Sequence, residues 1–172
     1  AFIWYNNCGY SDVIKILIEN AETFGIDLNT KNNNNWTGFQ EACQTGLTDM
    51  VKIFLENPAR LRFDFNTEGN RGWTAFHCAC YLGFSDIVKM LMKNEAALSI
   101  DINTKCHKGW TAFQIVCYEG HSHVVKTFME NAAALSIDLN TKSNDGWTPF
   151  QLACFKGHFR VVKIFMENAT RL

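Results

Sequence analysis

The amino-acid sequence repeats itself with a period of 37 residues. Four stretches share one pattern: "WTGFQEACQTG", "WTAFHCACYLG", "WTAFQIVCYEG" and "WTPFQLACFKG". They begin 37 residues apart, at Trp36, Trp73, Trp110 and Trp147. Glycines keep the same step, at Gly9, Gly46, Gly83, Gly120 and Gly157. A constant period of this length is typical of tandem arrays, whose units bury their apolar faces only against each other. The sequence therefore predicts a stack of similar units.

Five units can be drawn along this array, and together they form a single domain. The first unit is partial and spans residues 1–31, and the others span residues 32–68, 69–105, 106–142 and 143–172. With 172 residues and an apolar fraction of 47%, the chain has enough apolar surface for a sizeable core.

Each unit carries the signals of two helices joined by a turn. The first helix begins after a threonine whose hydroxyl can satisfy free backbone N–H groups. These threonines are Thr37, Thr74, Thr111 and Thr148. Pro149 then occupies the first helical position of the last unit, where a missing N–H is tolerated. The repeated glycine ends this helix in every unit.

The second helix carries apolar residues at positions i, i+1, i+4 and i+5, which form one apolar stripe. We expect an asparagine to close it in the left-handed conformation, at Asn20, Asn57, Asn94, Asn131 and Asn168. The connector contains Asp-x-Asn and ends in Gly-Trp or Asn-Trp, which favours a tight turn. The predicted fold is all-α, an α-solenoid of stacked helix-turn-helix repeats with protruding hairpin-like loops.

This pattern resembles the ankyrin repeat. The resemblance is carried by "TPFQLACFKGHFRVVKIFMEN" and its sister copies, set against the family's Thr-Pro-Leu-His, Ala-Ala, Gly-His and Val-Val elements. Phe replaces the Leu, Gln replaces the His except at His77, and the period is 37 rather than about 33. The additional residues follow the second helix. Because Pro58 follows Asn57 there in one copy, we expect a separate short turn.

The net charge and the cysteine content indicate which classes of partner and which cellular compartment to expect. The net charge of −1 lacks the basic footprint of nucleic-acid-binding proteins. No apolar run reaches the length needed to cross a bilayer, so we expect neither nucleic acid binding nor membrane insertion. The 7 cysteines cannot all pair within the chain, and free thiols are typical of a reducing compartment. We therefore predict an intracellular, cytoplasmic location.

Recurring cysteine and histidine could indicate chemistry, but the repeat explains them. One position of the first helix is always cysteine, at Cys43, Cys80, Cys117 and Cys154, which predicts packing in the core. The alternative, a metal site at His77, Cys78 and Cys80, lacks the paired spacing of zinc ligands. The resemblance implies local hydrogen bonds for His121 and His158. We predict no metal, no cofactor and no catalytic residue.

One tryptophan per unit stands where the loop meets the first helix. In the ankyrin family this position, like the two residues before the turn glycine, faces the concave surface where partners bind. A row of exposed aromatics would favour recognition. The alternative is that each indole packs on the next loop and is largely buried. The predicted partner-binding residues are Trp36, Trp73, Trp110, Trp147, Gln44, Tyr81, Tyr118, Glu119, Phe155 and Lys156, with Arg71, Lys108 and Asp145 at the loop tips.

The resemblance implies a non-catalytic module that binds a protein partner along the concave face of the stack, with loop-tip charges setting specificity. The alternative is a structural spacer or assembly element within a larger multi-repeat protein. An enzyme would need a non-repeating polar cluster in a pocket, and the sequence offers none. The last unit keeps its apolar stripe without a polar capping face, so we expect further repeats or domains to flank the array.

Overall fold

A computed structural model of the chain describes residues 10–21, 23–58 and 63–168. Regular secondary structure in these ranges is helical, apart from one isolated antiparallel bridge between Lys105 and Thr111. The stretch predicted to hold the first helix of the first unit, residues 1–9, lies outside the described residues.

The helices form two rows. The inner row contains the first helix of each unit: α2 (Gly38–Thr45), α4 (Ala75–Leu82), α7 (Ala112–Glu119) and α9 (Pro149–Phe155). The outer row contains the second helices: α1 (Tyr10–Glu19), α3 (Thr48–Glu56), α5 (Ser85–Lys93), α8 (Ser122–Asn131) and α10 (Phe159–Glu167). A short helix, α6 (Glu95–Leu98), and a 3-10 turn at Asn70–Gly72 lie in the connectors.

Each helix packs against the next helix of its own row, and each inner helix from α2 onwards also packs against the outer helix of its own unit. Since the apolar faces between adjacent units cover each other, the stack has one continuous core instead of separate small ones. The predicted α-solenoid of helix-turn-helix repeats is therefore confirmed.

The inner helices begin as the sequence predicts, and three of them end as predicted, whereas α9 has Lys156 and not Gly157 as its C-cap. Their N-caps are Thr37, Thr74, Thr111 and Thr148, and each hydroxyl accepts a hydrogen bond from the backbone N–H three residues later. The Gln or His at that later position accepts from the threonine N–H in return, which completes a capping box. Loss of an N-cap typically costs about 1 kcal/mol. Gly46, Gly83 and Gly120 then end three of these helices with positive φ.

The asparagines at the ends of the outer helices work differently from the prediction. The φ angles of Asn57, Asn94 and Asn168 are −123°, −99° and −107°, so the predicted left-handed conformation is wrong for them. The side-chain amide instead donates a hydrogen bond of 2.7–2.9 Å to the carbonyl four residues earlier, in Asn20, Asn57, Asn94, Asn131 and Asn168. In Asn20, Asn94 and Asn168 the backbone N–H donates to the same carbonyl, so the side chain adds a second hydrogen bond at the helix end.

The additional residues of the long repeat form a separate turn, as expected from the sequence. In the third unit this turn is α6, and Ser99 then reverses the chain with φ of 51°. Ser136 has the same φ of 51° in the fourth unit. In the second unit the segment after Pro58, residues 59–62, lies outside the described residues.

The connectors are turns closed by short hydrogen bonds and tied to their neighbours. An aspartate begins each Asp-x-Asn element, and its carboxylate accepts from the N–H two residues later at 2.8–2.9 Å. The asparagine then reaches the next connector. Asn66 donates from Nδ2 to the carbonyl of Ser99 at 2.7 Å and accepts from the N–H of Asp101 at 2.7 Å. The aspartate therefore shapes the turn, whereas the asparagine joins two units.

The glutamines of the capping boxes also join units. The Nε2 of Gln40 donates to the carbonyls of Thr67 and Trp73 in the next connector, at 2.8 and 3.0 Å. Gln114 repeats this pattern one pair of units further on, with the carbonyls of Thr141 and Trp147. One buried side chain thus caps its own helix with Oε1 and holds the neighbouring loop with Nε2.

The histidines that follow the turn glycine also bond between units. His121 and His158 place Nε2 2.8 and 2.7 Å from the carbonyls of Tyr81 and Tyr118, each in the preceding unit. The prediction of local hydrogen bonds is therefore wrong, because each bond joins residues of two different units. The rings lie against the preceding turn glycines, which leave no room for a side chain.

The core is built from phenylalanines and small residues of the inner helices together with aliphatic residues of the outer helices. Cys43, Cys80 and Cys117 are fully buried, as predicted, and burial raises the pKa of each thiol. Cys154 is exposed, so the prediction that it packs in the core is wrong. Cys154 is exposed because the described residues contain no unit after the fifth that could cover this side of α9.

We predict that Gly120→Ala destabilises the stack more than Gly157→Ala. Both glycines have positive φ, 81° and 71°, where an L-residue costs about 1–2 kcal/mol. A Cβ at Gly120 would lie 2.5 Å from Nδ1 of His158, whereas a Cβ at Gly157 would meet nothing within 4 Å. We expect Gly120→Ala to lower the free energy of unfolding by at least about 1 kcal/mol more, since it also displaces the His158 hydrogen bond. Urea unfolding of both variants measures this, and equal losses would contradict the role given to His158.

Candidate functional site

An open groove of about 840 Å³ runs between the hairpin tips and the C-terminal parts of the inner helices. It crosses the second, third and fourth units. The predicted binding residues that line it are Trp36, Trp73, Trp110, Gln44, Tyr81, Tyr118, Glu119, Arg71 and Lys108. Residues at matching positions of successive units thus come together on one surface.

The tryptophans stand in equivalent backbone positions. Each carbonyl accepts a hydrogen bond from the N–H at the start of its own loop, at 2.8–3.0 Å for Trp36, Trp73, Trp110 and Trp147. The first three indoles are half-buried, and Trp147 is 38% exposed. The indoles are therefore neither fully buried nor fully exposed, and Trp36, Trp73 and Trp110 border the groove.

Two aromatic pairs form the centre of the groove. Trp73 and Tyr81 have ring centroids 5.0 Å apart in an edge-to-face arrangement, and Trp110 and Tyr118 repeat it at 5.0 Å. Such pairs contribute about 0.5–1.5 kcal/mol beyond their buried area. Tyr81 and its neighbour Leu82 remain 42% and 40% exposed. The groove therefore presents rigid aromatic and aliphatic surface to the solvent.

Four predicted binding residues do not line this groove: Trp147, Phe155, Lys156 and Asp145. They belong to the fifth unit, at the end of the stack, where the groove wall is not continued among the described residues. Trp147 and Phe155 form the third aromatic pair, at 5.5 Å. The ammonium of Lys156 lies 4.6 Å from the ring centroid of Tyr118, within the range of a cation–π contact.

The floor of the groove consists of residues that were not predicted as binding residues. Cys78, Cys106 and Ile115 line it and are nearly fully buried. The sequence marks Cys78 and Ile115 as core positions and places Cys106 in a loop, and a core position and a groove floor have the same apolar pattern. Cys78 and Ile115 occupy the same position in successive units, which is the signal that could have placed them together.

Charged groups are concentrated on the hairpin side of the groove. Arg71, His107 and Lys108 are exposed there, and Glu119 lies on the inner-helix side. Arg71 has φ of 65°, an unfavourable conformation for a residue with a long side chain. The backbone N–H of His107 donates to the carbonyl of Arg71 at 3.0 Å and holds this conformation from the next unit.

The alternative of a metal site at His77, Cys78 and Cys80 gains no support from the geometry. Nδ1 of His77 lies 2.9 Å from the hydroxyl of Thr74, so the ring serves the capping box. Burial lowers the pKa of His77 to about 4 and raises the pKa of the Cys78 and Cys80 thiols. A buried neutral thiol is a poor nucleophile and a poor metal ligand. Within residues 10–21, 23–58 and 63–168 no cluster of His, Cys, Asp and Glu could hold a metal ion.

A family model described as "Ankyrin repeats (3 copies)" matches residues 2–106 and 95–172. The chain belongs to the ankyrin repeat family. Ankyrin repeats are generally protein–protein interaction modules and generally non-catalytic. A search of curated proteins found no match. None of the described ankyrin helices has both the length and the apolar character that a bilayer requires.

We predict that His77 makes the stability of the array sensitive to acid. Because its pKa is about 4 in the fold and about 6.5 in an unfolded chain, the unfolded state binds more protons between these values. The free energy of unfolding should therefore fall by about 3 kcal/mol as the pH drops from 7 to 4. His77→Gln introduces the residue found at positions 40, 114 and 151 and removes this contribution. Urea unfolding across that pH range should give a free energy of unfolding that depends more steeply on pH in the original chain than in the His77→Gln variant. Parallel pH profiles of the two proteins would exclude the effect.

Proposed function

We propose that this chain binds a protein partner along the groove, with Trp73, Trp110, Tyr81 and Tyr118 as the apolar anchors. The observation that carries the proposal is that the second unit folds without such an aromatic pair. Gln44 holds the position of Tyr81 there, and its helix has the same caps as the helices of Tyr81 and Tyr118 and the same bonds to the next unit as the helix of Tyr118. Groove-lining aromatics at a position that the architecture leaves free are typical of binding hot spots.

We further propose that the hairpin tips set specificity. Each loop is closed by the same hydrogen bond to its tryptophan carbonyl, whereas the tip side chains differ: Arg71, Lys108 and Asp145 occupy one position. Arg71 and Lys108 give the middle of the groove a cationic wall, and Glu119 faces it from the inner helices. Charged residues at the rim of an interface mainly select partners and raise the association rate. Asp145, Trp147, Phe155 and Lys156 would extend the same surface along the fifth unit.

A structural spacer or assembly element is the second candidate. The continuous series of hydrogen bonds between units favours it, because such ties make the stack stiff. A spacer does not need exposed aromatic pairs, so substitutions in the groove would leave its role intact. We propose no catalytic role for the chain.

The setting and surroundings of the chain are also proposals. The six cysteines among the described residues are unpaired, which supports a reducing, cytoplasmic location. We propose that further repeats or domains flank the array within the same polypeptide, in line with the apolar stripe that the last unit retains.

We predict that Tyr81→Ala and Tyr118→Ala each weaken partner binding about 30-fold, as expected for an aromatic hot spot worth about 2 kcal/mol. The partner would first be captured from source cells on the immobilised chain, identified by mass spectrometry, and then titrated by calorimetry. Phe24→Ala is the control, because Phe24 is 72% exposed and does not line the groove. Circular dichroism should give the same helical signal for all variants. Unchanged affinity of both tyrosine variants would favour the spacer.

A further inference from the structure

One cation of the chain already lies on an aromatic ring at the edge of the groove. The ammonium of Lys156 is 4.6 Å from the ring centroid of Tyr118, a distance at which the electron-rich face of a ring attracts positive charge. The ring of Tyr118 also meets the indole of Trp110 edge to face at 5.0 Å. Tyr118 belongs to the fourth unit and Lys156 to the fifth. This position of a unit can therefore place a charge against the tyrosine of the unit before it.

The repeat places the same arrangement one unit earlier, with the opposite charge. Tyr81 stands 37 residues before Tyr118, and Glu119 stands 37 residues before Lys156. Tyr81 also has the edge-to-face partner, Trp73, at 5.0 Å. Because α4 packs against α7 as α7 packs against α9, Glu119 occupies the position relative to Tyr81 that Lys156 occupies relative to Tyr118. A carboxylate thus replaces the ammonium.

The ring of Tyr81 and the carboxylate of Glu119 both lack a charged partner. Tyr81 is 42% exposed, and none of the described lysines and arginines lies over its ring. Glu119 is half-buried and forms no ion pair within the described ranges. Both side chains line the groove. An exposed ring face and a carboxylate attract the same class of ligand, a cation, because each favours nearby positive charge.

The cationic groups of the groove stand on its other side. Arg71 and Lys108 lie at the hairpin tips, whereas Glu119 is the last residue of the inner helix α7. The groove is therefore divided by charge across its width. A protein segment lying in it meets positive charge on the hairpin side, and an aromatic ring beside a negative charge on the helix side. A segment whose basic side chain points towards the inner helices is complementary to this division.

We propose that Tyr81 and Glu119 form a cation subsite, which receives a lysine or arginine side chain of the protein partner. The charged group lies on the ring of Tyr81, as Lys156 lies on Tyr118, and pairs with the carboxylate of Glu119. The inference rests on the proposed partner binding and names the chemistry of the partner. Among the described units the subsite is confined to units three and four. Gln44 replaces the tyrosine in the second unit, and Lys156 already covers it in the fourth.

A charge reversal tests the geometry within the chain itself. Glu119→Lys should place an ammonium on the ring of Tyr81. Protons above a ring face move upfield in NMR spectra, so the methylene protons next to the introduced ammonium should shift upfield, as those of Lys156 do in the original chain. Tyr81→Leu in the same variant should abolish the shift. If the introduced lysine has the shifts of an exposed lysine in the folded chain, the two positions are not equivalent and the proposal is wrong.

A titration tests the ligand. The probe is Nα-acetyl-lysine amide, and the matched probe is its Nε-acetylated form, which carries no charge. Binding is followed at constant ionic strength through the NMR signals of the Tyr81 ring and the Trp73 indole. We expect the charged probe to bind about tenfold more tightly, as an exposed cation–π contact and a surface ion pair together allow. Glu119→Gln should weaken its binding about threefold, and Glu119→Lys should abolish it.

Lys156→Glu is the matched gain-of-function variant. It removes the ammonium from Tyr118 and supplies the carboxylate that Tyr81 already has beside it. We therefore expect a second site, at which the signals of Tyr118 and Trp110 respond to the charged probe in the variant and not in the original chain. Circular dichroism should give the same helical signal for every variant.

The proposal is overturned if the charged probe binds the original chain no better than the neutral one, or if neither probe shifts the signals of Tyr81. Such a result leaves partner binding through the groove intact, because Tyr81→Ala and Tyr118→Ala test the rings with the captured partner itself. If the probes behave as expected and those two variants bind the partner normally, the cation subsite stands and the proposed partner site is wrong. The two failures are therefore distinguishable.

Discussion

The units are held in register by a side chain that acts in two places. Gln40 and Gln114 each cap their own helix through Oε1 and hold the next hairpin through Nε2, as Gln114 does with Thr111 and Trp147. A helix start and the register of the neighbouring unit are thus coupled, so neither can shift alone. Because the amide is fully buried, losing either bond would leave a polar atom unsatisfied, which costs about 1–3 kcal/mol.

This coupling separates the positions that the fold needs from those that are free to vary. Capping threonines, turn glycines and buried cysteines recur because each is packed against another unit. The hairpin tips and the positions two residues before the turn glycine are not constrained in this way, so Gln44 and Tyr81 can occupy equivalent sites. The groove is where those free positions meet. In the function we propose, its aromatic pairs and cationic wall supply the recognition chemistry.

Local and periodic features were predicted well. The helix starts, the glycine ends and the solenoid follow from residue types at fixed spacing, because capping and left-handed turns involve only a few neighbouring residues. The asparagine ends were wrong because Asn94 can serve a helix end by either backbone or side chain, and the sequence does not distinguish the two. The histidine bonds were wrong in range, because His121 reaches a carbonyl 40 residues away, across a unit boundary.

The sequence by itself determined the repeat, the two-helix unit and the residues placed at each structural position, since helix caps, turn glycines and apolar stripes recur with a strict period of 37 residues. The tertiary structure alone decided which of those equivalent residues are covered. Cys117 and Cys154 have the same place in their units, yet one is fully buried and the other exposed. Burial depends on what lies across the interface, and a repeating pattern looks the same in a unit with a neighbour and in a unit without one.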